Sequence, residues 1–154
     1  LWWLYRDNLL PMVTRFVGYA RSKLSVAELK EKCRPYMGVE PGQQEKFEQF
    51  WALNAYFAGS YDCRRDSELF DQEITKFEMG GKQANRLFYL ALPPSVFESV
   101  TVRIRNTCMG RKGWNRIIVE KPFGRDADSS NAPCIHLAKL FKEEQLYRID
   151  HYLG

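Results

Sequence analysis

Leu87-Phe-Tyr-Leu-Ala-Leu92 is an unbroken apolar run closed by Pro93-Pro94, and it constrains the fold more than any other stretch. A strand covered on both faces reads this way, because the helical crossovers of a parallel sheet lie over each side. Two further strand-like runs follow, Arg116-Ile-Ile-Val-Glu120 and Leu146-Tyr-Arg-Ile149. Helical patterns separate them. Ser95-Val-Phe-Glu98 has capping-box spacing, and Val96, Val100, Ile104 and Cys108 then recur on one side of a helix. Leu137, Leu140 and Phe141 carry a second helix after the polar stretch Asp126 to Asn131. Strand, helix, strand, helix, strand predicts an α/β fold with a parallel sheet and right-handed crossovers.

The upstream chain is less regular. Leu1 to Leu10 has helical periodicity and stops before Pro11, and Arg15-Phe-Val-Gly-Tyr-Ala-Arg21 is a short strand candidate. Ser25-Val-Ala-Glu28 opens a helix with Val26, Leu29 and Cys33 on its apolar face, and Pro35 is expected to end it. Met37-Gly-Val-Glu-Pro-Gly42 reads as a loop, and Gln43 to Ala58 resumes a helical pattern through Phe47, Phe50, Trp51 and Ala55. Helical spacing explains those aromatics as core residues. A weaker helix is expected from Leu69 to Met79, with Gly80-Gly81 as its stop.

A chain of 154 residues that is 45% hydrophobic is long enough for about one domain with a real core. The chain opens without Met on Leu1 and ends on Gly154 directly after a polar cluster, so a longer protein is expected at both ends. Its formal charge of +4 contains no long basic run, which gives no footprint for nucleic acid and supports only a mild preference for anionic ligands. Cys33, Cys63, Cys108 and Cys134 include no C-x-x-C pair, so neither a zinc site nor a redox motif is visible and free thiols in a reducing compartment are expected. No apolar run approaches the ~20 residues of a membrane-spanning helix.

Three of the predicted strands end in Leu92-Pro-Pro94, Glu120-Lys-Pro-Phe-Gly124 and Asp150-His-Tyr-Leu-Gly154. In a parallel sheet these ends share one edge, where open α/β folds bind ligands. Lys121 follows a strand within a rigid Pro-Gly frame, and it reads either as a functional cation or as a solvated one. Asp150 beside His151 is either an acid–base pair or a structural one, and His136 reads as a packing or surface residue. The earlier strand ends at Ala20-Arg21-Ser22. Nucleotide folds put there the group that meets the adenosine ribose, and an Arg accommodates the 2′-phosphate of NADP where an acid favours NAD. Arg21 therefore points to NADP, with an ordinary surface Arg as the alternative. No G-x-G-x-x-G fingerprint occurs.

Longer motifs carry a family likeness. Leu1-Trp-Trp-Leu-Tyr-Arg-Asp-Asn-Leu-Leu-Pro11, Gly18-Tyr-Ala-Arg-Ser22, Ala84-Asn-Arg-Leu-Phe-Tyr-Leu-Ala-Leu-Pro-Pro94, Gly113-Trp-Asn-Arg-Ile-Ile-Val-Glu-Lys-Pro-Phe-Gly124 and Tyr147-Arg-Ile-Asp-His-Tyr-Leu-Gly154 together resemble the glucose-6-phosphate dehydrogenases from end to end. The resemblance implies an oxidoreductase that oxidises glucose 6-phosphate to 6-phosphogluconolactone with hydride transfer to NADP, in the oxidative pentose phosphate pathway. Residues 1–154 would be a partial Rossmann-like NADP-binding domain, doubly wound with helices on both faces, without its first strand and glycine loop. A C-terminal β+α domain would be absent, and the chain as given would be inactive alone. The full-length protein is then expected to be a cytoplasmic homodimer or homotetramer. The alternatives are a luminal hexose-6-phosphate dehydrogenase or a non-catalytic sugar-phosphate or nucleotide-binding module.

The same resemblance assigns residues. It implies that Arg21 contacts the 2′-phosphate and adenine of NADP, and that Lys121 touches the sugar near the nicotinamide with Pro122 beside it as a conformational switch. His151 and Tyr152 would bind the substrate phosphate, and Asp150 would orient a catalytic histidine expected beyond Gly154. Phe97 stands where the family carries Tyr, which keeps a ring for the cofactor and loses a hydroxyl. Pro133 falls inside an expected helix, where an interior Pro costs about 3 kcal/mol, so that helix is expected to start late or to be displaced. No metal is implied.

Overall fold

Short parallel strands, each joined to the next through helix, build the protein. The computed structural model describes residues 1–11, 14–78, 84–92, 94–111, 113–120, 137 and 139–149. The chain forms two compact units, Leu1–Ser60 and Tyr61–Gly154.

In the first unit the order is α1 (Trp2–Arg6), β1 (Phe16–Ala20), α2 (Val26–Met37), α3 (Gln44–Ala52) and β2 (Asn54–Ala58). β1 and β2 pair in parallel, Phe16 opposite Asn54 through Ala20 opposite Ala58. Ser25 caps α2 as its spacing predicts: Glu28 N–H donates to Ser25 Oγ at 3.1 Å, satisfying one of the orphan amides of the first turn. Pro35 does not end α2. The helix runs two residues further, because Pro already has a helical φ and forfeits only its own amide bond, and Gly38 in the left-handed conformation (φ 62°) is the true stop. α1 is also shorter than expected, turning out of the helix at Arg6, with Asn8 at φ 59°.

The larger correction concerns Gln43 to Ala58. The helix ends at Ala52, and Asn54–Ala58 is a strand. A short apolar run fits a buried helix turn and a strand equally, and here pairing with β1 decides. The core beneath is aromatic: Trp2, Phe16, Phe47, Phe50 and Trp51 are buried together. Trp2 meets Phe47 edge-on with centroids 5.6 Å apart, and Phe16 lies 5.1 Å from Phe50.

The second unit runs α4 (Arg64–Glu78), β3 (Arg86–Leu90), α5 (Pro94–Arg103), a π-helical turn Ile104–Cys108, β4 (Asn115–Glu120), a 3₁₀ turn Glu143–Gln145 and β5 (Leu146–Ile149). Its sheet has the order β3-β4-β5, parallel throughout, as the alternation of strand and helix predicts. α4 begins five residues before the expected Leu69. α5 begins at Pro94, so Ser95 lies inside the helix instead of capping it; a Pro suits the first helical position, where its missing amide would have no partner.

β3 is not covered on both faces. Phe88 and Leu90 join Ile117, Val119, Leu146, Ile104, Leu137 and Phe141 in the core, but Leu87 and Tyr89 are 53% and 48% exposed. An apolar run records what could be buried, whereas α5 and the segment of Leu137 and Phe141 pack on the Ile117 face. Each fully buried aliphatic side chain in that layer stabilises by about 1.5–3 kcal/mol.

A buried cation ties this unit together at the start of β3. Arg86 Nε and Nη2 donate to the Glu78 carboxylate at 3.0 and 2.6 Å, Nη1 to Asp71 at 2.6 Å and the Cys108 carbonyl at 2.7 Å, and Nη2 to Thr75 Oγ1 at 3.1 Å. All five guanidinium donors are therefore used, which is what a buried Arg requires. Burial alone would lower the Arg86 pKa; the bonds to Glu78 and Asp71 more than offset that and hold it above its ordinary value. The Gly113-Trp-Asn115 entry to β4 is as tightly specified. A Cβ at Gly113 would stand 2.2 Å from Asn85 Oδ1, the atom that accepts Trp114 N–H, and the Asn115 side chain bonds both backbone groups of Gly110.

Expectations on Gly80-Gly81, residues 126–131, Pro133, Cys134 and His136 fall outside the described residues.

Candidate cofactor and substrate site at the strand ends

Register brings the carboxyl ends of β3, β4 and β5 level. Leu90 pairs with Val119, and Glu120 with Ile149. The next residues in the chain after that last pair are Lys121 and Asp150, the two candidates of the sequence motifs. Lys121, Pro122, Asp150, His151 and Tyr152 themselves lie outside the described residues.

At this edge the last residue of β4 is held by a side chain. The Tyr89 hydroxyl donates to the Glu120 carboxylate. Accepting that proton's hydrogen bond pushes the Tyr89 pKa up to about 12, with burial adding to the effect, since a neutral donor is what the carboxylate favours. Tyr89 and Glu120 lie on the open face of the sheet, with Leu87 and Tyr147. On the same face the Arg116 guanidinium sits 4.1 Å from the Trp114 ring centre and 5.8 Å from that of Tyr147, a cation–π stack near the other end of the strand.

Phe97 is on α5, half-buried against the core cluster of Leu90, Ile104 and Ile117. In the same unit Cys108 is buried, its thiol pushed up to about 12 by burial and by Asp71, with Arg86 opposing. It stays a protonated, unreactive group. Among the described residues no cluster of His, Cys, Asp and Glu could hold a metal ion.

Arg21, in the first unit, follows β1 directly and is exposed. The backbone around it is pinned on both sides. The Ala20 carbonyl accepts Gly59 N–H at 3.0 Å, and the Ser22 carbonyl accepts the Tyr56 hydroxyl at 2.5 Å. Tyr19, stacked on Phe57 at 5.7 Å, donates its hydroxyl to the Ser60 carbonyl at 2.6 Å. An exposed guanidinium on a fixed strand end suits a phosphate. Sequence reading missed Tyr56, Tyr19, Tyr89 and Glu120. Only the pairing register relates them to the candidates, although Glu120 does stand beside Lys121 in the motif.

The family model described as "Glucose-6-phosphate dehydrogenase, NAD binding domain" matches residues 1–154. A glucose-6-phosphate 1-dehydrogenase of Culex pipiens is 77% identical over the whole of both chains. The corresponding protein of Drosophila melanogaster is 62% identical over all of this chain, which spans 29% of it. A solved structure, "Glucose-6-phosphate dehydrogenase in complex with its substrate glucose-6-phosphate", superposes with a TM-score of 0.90 at 40% identity, covering 98% of this chain and 32% of that one. Among the described residues no helix is long and apolar enough to cross a membrane.

Proposed function

This chain belongs to the glucose-6-phosphate dehydrogenase family of oxidoreductases and carries its Rossmann-like nucleotide-binding fold, and on that premise we propose that the whole protein oxidises glucose 6-phosphate to 6-phosphogluconolactone with NADP as hydride acceptor. The observation that carries the cofactor choice is Arg21: a cation at the carboxyl end of β1, exposed, with the Ala20 and Ser22 carbonyls on either side bonded to Gly59 N–H and the Tyr56 hydroxyl. A guanidinium fork matches a phosphate by geometry as well as by charge, and NAD has no 2′-phosphate to meet it.

Bound NADP supplies the electron sink for the hydride. The chain's own groups bind the substrate and orient the group that takes its proton. Lys121 holds the sugar, His151 and Tyr152 its phosphate, and Asp150 orients the histidine that takes the C1 hydroxyl proton, as an acid does when it fixes the tautomer of a general base. What supports bringing Lys121 and Asp150 to one edge is the level pairing of the residues that precede them, Glu120 and Ile149. Phe97 offers a ring for the cofactor without a hydroxyl. A cytoplasmic setting agrees with Cys33, Cys63 and Cys108 as free thiols.

Initial rates of the full-length enzyme with glucose 6-phosphate test this. Arg21→Ala is expected to raise KM for NADP by roughly tenfold or more, the scale of a lost charge-assisted hydrogen bond of about 1.5–3 kcal/mol, and to leave NAD kinetics nearly unchanged. Equal losses with both dinucleotides would remove the phosphate-reading role.

A further inference from the structure

We infer that Tyr56 is a positioning residue for Arg21, and through it sets how strongly a 2′-phosphorylated dinucleotide is preferred; this rests on the reading of Arg21 proposed above. At Arg21 and Ser22 the chain bends out of β1. A segment leaving a sheet loses the ladder bonds that fix its peptide planes, so the direction of its side chains must be set by something else. Here the plane before Arg21 is fixed by a backbone bond, Gly59 N–H to the Ala20 carbonyl. On the other side the Tyr56 hydroxyl donates to the Ser22 carbonyl and so holds the Ser22–Lys23 plane, one residue beyond Arg21. Parallel pairing supplies the first to any sequence; only a Tyr at this register supplies the second.

Two glycines make room for the arrangement. Tyr56 is the register partner of Gly18, and a Cβ on Gly18 would stand 3.3 Å from Tyr56 Cδ2, close enough to displace the ring. A Cβ on Gly59 would stand 2.4 Å from the Tyr19 hydroxyl, which is bonded to the Ser60 carbonyl. Each anchor of Arg21 is thus backed by a Tyr lying against a Gly.

The consequence is specific to the phosphate. A bidentate grip needs the planar fork in one place before the ligand arrives, and a fork on a loosened segment spends binding energy on ordering itself. NAD makes no such demand. Loss of the Tyr56 hydroxyl therefore weakens NADP and spares NAD, because that hydroxyl is committed to the Ser22 carbonyl.

The test uses Tyr56→Phe in the full-length enzyme, which keeps the ring and removes the bond. KM for NADP should rise roughly three- to tenfold, the worth of one ordinary hydrogen bond. The kcat at saturating NADP and the constants for NAD should hold. The double variant Y56F/R21A should lose no more NADP affinity than R21A alone, because the hydroxyl acts only through the guanidinium. Parallel losses for both dinucleotides, or losses that add in the double variant, overturn the inference and leave Tyr56 as fold support. An R21A enzyme with unchanged preference overturns the Arg21 reading instead and takes this inference with it. Should Y56F fold poorly, Gly18→Ala, which keeps the hydroxyl and shifts the ring, asks the same question with the same two outcomes.

Discussion

The unit of residues 1–60 is held by rings, and that of residues 61–154 by aliphatic packing plus a buried ion network. In the first, Trp2, Phe16, Phe47, Phe50 and Trp51 bury area with loose directional demands, several ring pairs meeting edge-on or tilted. In the second, the layer around Ile117 and Val119 is joined at the start of β3 to five geometrically exacting bonds from Arg86. The difference teaches which contacts tolerate change. Packing degrades gradually as atoms are lost, whereas a satisfied ion network fails all at once, because removing one member strands the others. Yet both units secure their strand ends in the same way, with tyrosine hydroxyls: Tyr56 and Tyr19 on backbone carbonyls, Tyr89 on Glu120.

Breaking the network tests the contrast most severely. Arg86→Ala leaves Asp71 and Glu78 without their cation and is expected to remove about 3–5 kcal/mol of stability, read as faster amide exchange in β3 and β4. Unchanged protection there would mean that the network contributes nothing net. In the ring core, Phe47→Leu keeps most of the apolar area but loses the pairs with Trp2 and Trp51, and about 1–3 kcal/mol is expected from the denaturant midpoint. A loss as large as that of Arg86→Ala would erase the distinction between graded and abrupt failure. The smallest effect concerns Tyr89. Its folded pKa is raised, so the bond to Glu120 contributes in full below pH 10 and is lost as pH climbs toward about 12. Tyrosinate absorbance compared with that of Tyr89→Phe should isolate one hydroxyl that ionises well above pH 10; its ionisation near pH 10 would dissolve the parallel between the two units' strand ends.

Much of this was legible in the residues. β3, β4 and β5 stand within a residue or two of the runs that announce them, and their parallel order follows from the intervening helical periodicity. Ser25 declared its cap, and Arg21 declared itself by ending a strand candidate. Asn54–Ala58 was not legible, because Ala55-Tyr56-Phe57-Ala58 suits either period and only its pairing with β1 breaks the tie. Missing that strand hid Tyr56, which as a helical residue has no relation to Ser22. Arg86 was hidden too: its partners Asp71, Thr75 and Glu78 lie 8 to 15 residues away on a helix whose start the polar sequence obscured.

By itself, then, the sequence determined the class of the fold, the succession of β3, β4 and β5 and the residue types offered at their ends, since periodicity, chain length between runs and turn residues act locally. Tertiary structure alone decided which face of β3 stays open, where α2 and α3 stop, and which hydroxyl holds which carbonyl. Those outcomes depend on register between distant segments, and a pairing energy shared by two strands is written in neither of them separately.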